Sequence, residues 1–261
     1  MSLSIAVAGK GGSGKTTIAS LIIRYFLKAK FVPILAVDAD ANANLGESLG
    51  MVAGKTVGSV LASFQNNKIN IPPGFTKEAY LEYKLNEVLV EGKGLDLLTM
   101  GRGEGPECYC YPNVVLRKFV DNLADNYACV VIDNEAGMEH MSRGTTKDID
   151  YLFIVSAPHV KGIRTVARIQ ELARELKLVI KHQSVIINYV SGQLDPLVIS
   201  EMQKTNIQPS ALIPHDEEIV RYDLQLKSLL ELPETSPAVV AIDHLMNSII
   251  HKDKVRVQEE L

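Results

Sequence analysis

Seven short apolar runs, spaced by segments of helical periodicity, constrain this chain more than any other feature. The runs are SIAVA (4–8), PILAVD (33–38), LDLLTM (95–100), CVVID (129–133), YLFIVS (151–156), SVIIN (184–188) and SALIP (210–214). Most are β-branched and do not alternate with polar residues, the pattern of strands buried on both faces of a parallel sheet. Between them, KTTIASLIIRYFLKA (15–29) places Ile18, Leu21, Ile22 and Tyr25 on one helical face. GIRTVARIQELARELKL (162–178) does the same with Ile163, Val166, Ile169, Leu172, Ala173 and Leu176. The alternation predicts an α/β fold: a single-domain, doubly wound, mainly parallel sheet with helices on both faces, spanning residues 1–261. Residues 55–94 are the least regular part. They read as a helical insertion on the sheet, with a loop at NNKINIPPGF (66–75) and a helix at KEAYLEYKLNEVLV (77–90). The charged tail HKDKVRVQEEL is expected to fray.

Composition removes several classes. A hydrophobic fraction of 46% with 22% charged residues is that of a soluble globular protein. A net charge of −4 gives no global basic footprint for nucleic acid. The three cysteines, an odd number, do not make a secreted disulfide framework. The opening MSLSIAVAGKGG lacks a basic n-region, and no apolar run approaches the ~20 residues that span a bilayer. The expectation is a cytoplasmic chain with reduced thiols and no nucleic-acid or membrane partner.

The first apolar run leads straight into GKGGSGKT, Gly9 to Thr16, and the first helical pattern follows it. This is G-x-x-x-x-G-K-[ST] in the strand-to-helix context that a phosphate-binding loop requires. Glycines let backbone N–H groups curl around phosphate oxygens, and the helix N-terminus adds partial positive charge. Gly9, Gly11, Gly12, Ser13, Gly14, Lys15, Thr16 and Thr17 form the expected nucleotide-binding set. Lys15 is expected at the β- and γ-phosphates, and the Thr16 hydroxyl at Mg²⁺. Strand-end carboxylates complete the pattern. Asp38 and Asp40 follow the second run, and Asp133 ends CVVID in the manner of a Walker B aspartate holding Mg²⁺ through water. The bland alternative for the Asp38–Asp40 pair is capping of the turn that follows.

The second lysine of the loop, Lys10, makes KGGxGKT. This resembles the deviant phosphate loop of the dimeric ATPases that include nitrogenase iron protein and the ParA and MinD proteins, and the resemblance covers nearly the whole chain. It implies an ATP-dependent homodimer sandwiching two ATP molecules, with Lys10 reaching the partner's nucleotide. It also implies that Asp40 positions the attacking water, that Asn44 is a second polar switch residue, and that the Gly137 N–H reads the γ-phosphate. IINYV (186–190) and LIPHDEE (212–218) look like base-binding segments of that class, with Asn188 at the adenine edge and Pro214 beside the ring.

GPECYCYPN holds Cys108 and Cys110 one residue apart amid turn-forming residues. They read either as two inert packed thiols or as half of a soft-metal site. A structural Zn²⁺ site takes about four ligands, and a two-fold dimer would supply each cysteine twice. Together with EAGMEHMSRGT (135–145), the segment resembles the CooC-type accessory ATPases of carbon monoxide dehydrogenase. The resemblance implies Ni²⁺ or Zn²⁺ bound by Cys108 and Cys110 across the dimer. It further implies ATP hydrolysis to ADP driving nickel insertion into carbon monoxide dehydrogenase or a related client enzyme. This sequence carries Ser13 where that family commonly has Val. His140 reads as a helix N-terminal residue or a metal contact, Arg143 as a switch contact, and Cys129 as core packing. Two other classes stand beside this reading. One is an ATP-gated iron–sulfur electron carrier like nitrogenase iron protein, whose cysteines are well separated in sequence. The other is a positioning ATPase on DNA or membrane, which the mixed-charge C-terminal segment disfavours.

Overall fold

In the computed structural model, residues 2–52, 54–65, 71–101, 119–135 and 148–259 are described. Seven strands form one parallel sheet in the order β3-β2-β4-β1-β5-β6-β7. They are β1 (Leu3–Gly9), β2 (Ile34–Asp38), β3 (Leu95–Thr99), β4 (Cys129–Asp133), β5 (Asp148–Ser156), β6 (Val179–Val190) and β7 (Pro209–Pro214). All seven expected runs are strands. The two long ones, β5 and β6, start several residues before the apolar run. There β6 reads VIKHQS, with residues alternately exposed and half-buried. This strand becomes buried only from Val185, where Val185, Ile186 and Ile187 enter the core.

Helices cover both faces, as a parallel sheet with crossover connections requires. On one face lie α1 (Lys15–Lys28), α2 (Asn44–Leu49) and the C-terminal helix Pro237–Glu259. Here Ile18, Leu21, Ile22 and Phe26 pack with Ile5, Val7, Phe153 and Ile242. On the other face, Ile163, Val166 and Ile169 of helix Val160–Glu175 pack on Ala6, Leu152 and Ile154. Segment 55–94 supplies the cover over β2, β3 and β4. Val57, Val60 and Leu61 of α3 (Val57–Gln65) and Leu81 and Leu85 of α4 (Lys77–Asn86) share a core with Leu35, Leu98 and Val130. Thr76 caps α4 by accepting the Ala79 N–H at 3.1 Å. The sequence signal for α3 was weak because VGSVLASFQ is short and contains an interior glycine. The C-terminal helix continues to Glu259 through the charged tail, whose Lys, Arg, Gln and Glu are good helix formers. Among the described residues no helix is long and apolar enough to cross a membrane.

The register places the chemistry. Val7 of β1 and Asp38 of β2 both pair with Asp133 of β4, so the ends of β2 and β4 are level with Val7, just before β1 runs into the loop that follows it. Ligands of open α/β sheets bind at such carboxyl ends.

Candidate nucleotide-binding site

Gly14 caps α1 in a left-handed conformation (φ 86°) with no side chain bonding the first-turn N–H groups. A Cβ there would collide with the Asn188 amide, so only glycine fits. The first N–H groups of α1 therefore point out of the loop with the helix dipole behind them, a ready anion site. Lys15 is only 7% exposed, and among the described residues it forms no ion pair. Lys10, Gly11 and Gly12 are exposed on the crest, with the Ser13 N–H closing a turn onto the Lys10 carbonyl at 3.1 Å.

The Thr16 hydroxyl donates to Asp133 Oδ2 at 2.6 Å. Asp133 is 1% exposed, and its Oδ1 has no partner among the described residues. Burial pushes this carboxyl up to about 7, against the lowering effect of the Thr16 bond, and the neighbouring Asp38 charge adds to the rise. A buried carboxylate oxygen beside a threonine hydroxyl fits Mg²⁺, which takes oxygen ligands and keeps several waters. The buried Ser13 Oγ, without a partner among the described residues, likewise suits a phosphate oxygen.

Asp38 is fully buried and holds the following turn. Its Oδ2 accepts the Leu45 N–H at 2.8 Å and its Oδ1 the Asp40 N–H at 3.2 Å. Burial raises its pKa to about 6, opposed by those N–H bonds. Asp40 is half-buried and accepts the Asn42 N–H at 2.9 Å. Asn44 begins α2, exposed, beside a polar recess of about 340 Å³ that Thr16, Thr17, Glu47, Asp223 and Lys227 also line. The structure thus brings Lys15, Thr16, Thr17, Asp38, Asp40, Asn44 and Asp133 to one place. Asn188 lies against the loop, donating from Nδ2 to the Ser13 carbonyl at 3.1 Å. Half-buried Pro214 ends β7. Cys108, Cys110, Gly137, Glu139, His140 and Arg143 lie outside the described residues. Among the described residues no group of three or more His, Cys, Asp or Glu is placed to hold a metal ion.

Sequence reasoning missed Asn134 and Asp216. Asn134 donates from both its N–H and Nδ2 to the Val7 carbonyl at 3.0 Å, tying β4's end to β1. Asp216 is buried beneath the Pro214 loop. It accepts the Glu218 N–H (2.9 Å), the Ser236 hydroxyl (2.5 Å) and the Ala238 N–H (3.1 Å). The D-x-E spacing after Pro214 carried a capping signal. The Ser236 contact joins residues twenty positions apart and carried none.

Comparison with known proteins agrees with this geometry. The family model for the CobQ/CobB/MinD/ParA nucleotide binding domain matches residues 4–229, and the chain belongs to this family. An uncharacterized ATP-binding protein of Methanocaldococcus jannaschii is 40% identical over 250 residues, covering 95% of this chain and 98% of the relative. The carbon monoxide dehydrogenase accessory protein CooC of Rhodospirillum rubrum is 33% identical over 185 residues, covering 67% of this chain and 70% of CooC. The septum site-determining protein MinD of Pyrococcus horikoshii, solved with Mg-ADP, superposes with a TM-score of 0.68 at 19% identity, covering 95% of this chain and 96% of MinD. That likeness is one of fold.

Proposed function

We propose that this chain is an ATPase that dimerises around ATP, binds Ni²⁺ or Zn²⁺ through Cys108 and Cys110 at the dimer axis, and assists nickel insertion into carbon monoxide dehydrogenase or a related enzyme. The observation that carries the nucleotide part is the Thr16–Asp133 hydrogen bond under the open N-terminus of α1, with buried Lys15 beside it. Family membership supports the same reading.

Lys15 and the α1 N–H groups hold the β- and γ-phosphates and offset the charge that develops as the terminal phosphoryl group leaves. Thr16 and Asp133 would hold Mg²⁺, which would supply further positive charge at the phosphate oxygens. Asp40 orients the attacking water, on a turn that Asp38 keeps in shape. Lys10, exposed on the crest, acts on the partner's nucleotide. Pro214 flanks the base. The metal part rests on the Cys108-Tyr109-Cys110 segment and on the 33% identity to CooC. Linkage then requires that metal and ATP strengthen each other's binding wherever both favour the dimer.

The test is transfer of cargo. Nickel-free carbon monoxide dehydrogenase is incubated with Ni²⁺, Mg-ATP and this protein, and CO oxidation is followed. ATP-dependent activation that fails with Cys108→Ser/Cys110→Ser supports the proposal. Activation indifferent to ATP or to the cysteines contradicts it.

A further inference from the structure

The phosphate loop is shaped from outside its own segment, by the end of β6. Register between β6 and β7 is regular at Ile187–Leu212 and resumes at Val190–Pro214. Two residues, Asn188 and Tyr189, therefore stand opposite one, Ile213, in a β-bulge. Bulges re-aim side chains, and they recur beside functional sites. Tyr189 sits at φ 60°, a left-handed conformation that non-glycine residues seldom adopt. The distortion turns both side chains onto the loop that follows β1.

Asn188 is 3% exposed, and its amide reaches the Ser13 carbonyl across 175 positions of sequence. The Tyr189 ring lies on Gly14. A Cβ at Gly14 would stand 2.7 Å from the Tyr189 hydroxyl oxygen and 3.0 Å from Cζ. Ser13 and Gly14 are the last residues before α1, where the phosphate-binding N–H groups begin. A shift in the plane of either peptide would re-aim those groups, and anion binding at a helix N-terminus depends on their direction.

The structure assigns Asn188 and Tyr189 a shared role as positioning residues that clamp the phosphate loop in its binding shape. This differs from a contact with the base, the role expected of Asn188 from sequence, and it adds Tyr189. It rests on the loop being a nucleotide site, and the experiment separates the two ideas. Inorganic tripolyphosphate, which has the phosphates and no base, is the discriminating probe.

Binding of Mg-ATP and of Mg-tripolyphosphate is measured by calorimetry for the wild type, Asn188→Ala and Tyr189→Ala, with ligand-free melting recorded for each. The clamp predicts that both variants lose about three- to tenfold in affinity. The loss should be equal for the two ligands, with melting little changed. Tyr189→Phe, which keeps the ring on Gly14, should stay within about twofold of the wild type. If Asn188→Ala does not fold, the Tyr189 variants carry the test, because that side chain is 38% exposed. ATP binding weakened while tripolyphosphate binding is unchanged would overturn the clamp in favour of base contact. Affinities unchanged in both variants would also overturn it. A wild type that binds neither ligand would overturn the nucleotide-site reading itself.

Discussion

Asp38 and Asp133 are direct register partners at the carboxyl ends of β2 and β4, both buried and both raised in pKa. Two carboxylates in one low-dielectric place disfavour each other's ionised form, and burial disfavours both. The fold accepts this arrangement at the point where Thr16 and Lys15 also converge, as expected where a cation is to be received.

An unfolded aspartate ionises near 3.9, whereas Asp38 and Asp133 ionise near 6 and near 7 in the fold. Between about pH 4 and 7 the folded chain holds more protons than the unfolded one, so these two groups make stability fall as pH rises. Asp133→Asn removes the larger part. It should stabilise the ligand-free protein by about 1–3 kcal/mol at pH 7.5, and by much less at pH 4.5, where Asp133 is already protonated. Urea unfolding at the two pH values measures this. Magnesium nucleotide should reverse the preference, releasing protons on binding near pH 6, which calorimetry in buffers of different ionisation enthalpy detects.

Lys15→Ala should lower phosphate release at least about 100-fold, because it removes a positioned cation from the transferring group. Phosphate release under saturating Mg-ATP measures it.

Lys10→Ala should separate binding from turnover. With its side chain on the exposed crest, the lysine is not needed to hold its own nucleotide, so ADP affinity should stay within about threefold of the wild type. ATP-dependent dimerisation and hydrolysis should both be lost. Sedimentation with and without ATP, beside ADP titration, distinguishes this from loss of the site.

Asp216→Ala should cost about 2–4 kcal/mol, since one carboxylate caps helix Glu217–Leu224 and also bonds Ser236 and the Ala238 N–H. Asp216→Asn should cost less. Urea unfolding midpoints provide the comparison.

How far the sequence foretold this site depends on the reach of each contact. CVVID is buried along its whole length, so an uninterrupted apolar run marked β4 and its terminal Asp133 unambiguously. The loop residues 9–16 were legible because strand, glycines and helix are contiguous. The first half of β6 was not, because VIKHQS lies at the margin of the sheet, where polar residues are tolerated. Asn188 stood out as a polar residue ending an apolar run, but its partner Ser13 is 175 positions away. Tyr189 gave no signal, since a left-handed tyrosine is set by the bulge and not by its own propensity. Segment 55–94 looked irregular because its two helices are short and separated by a Pro-Pro-Gly loop, yet Leu61, Leu81 and Leu85 are core residues.

Whether the dimer carries a metal through its cysteines is read by native mass spectrometry of the reduced protein, with and without Mg-ATP and one equivalent of Ni²⁺ or Zn²⁺. One metal ion per dimer is expected, with a dimer fraction that ATP increases and no bound metal in Cys108→Ser/Cys110→Ser. A dimer that forms with ATP and carries no metal would contradict the cargo assignment. An added mass matching an iron–sulfur cluster would replace it with an electron carrier.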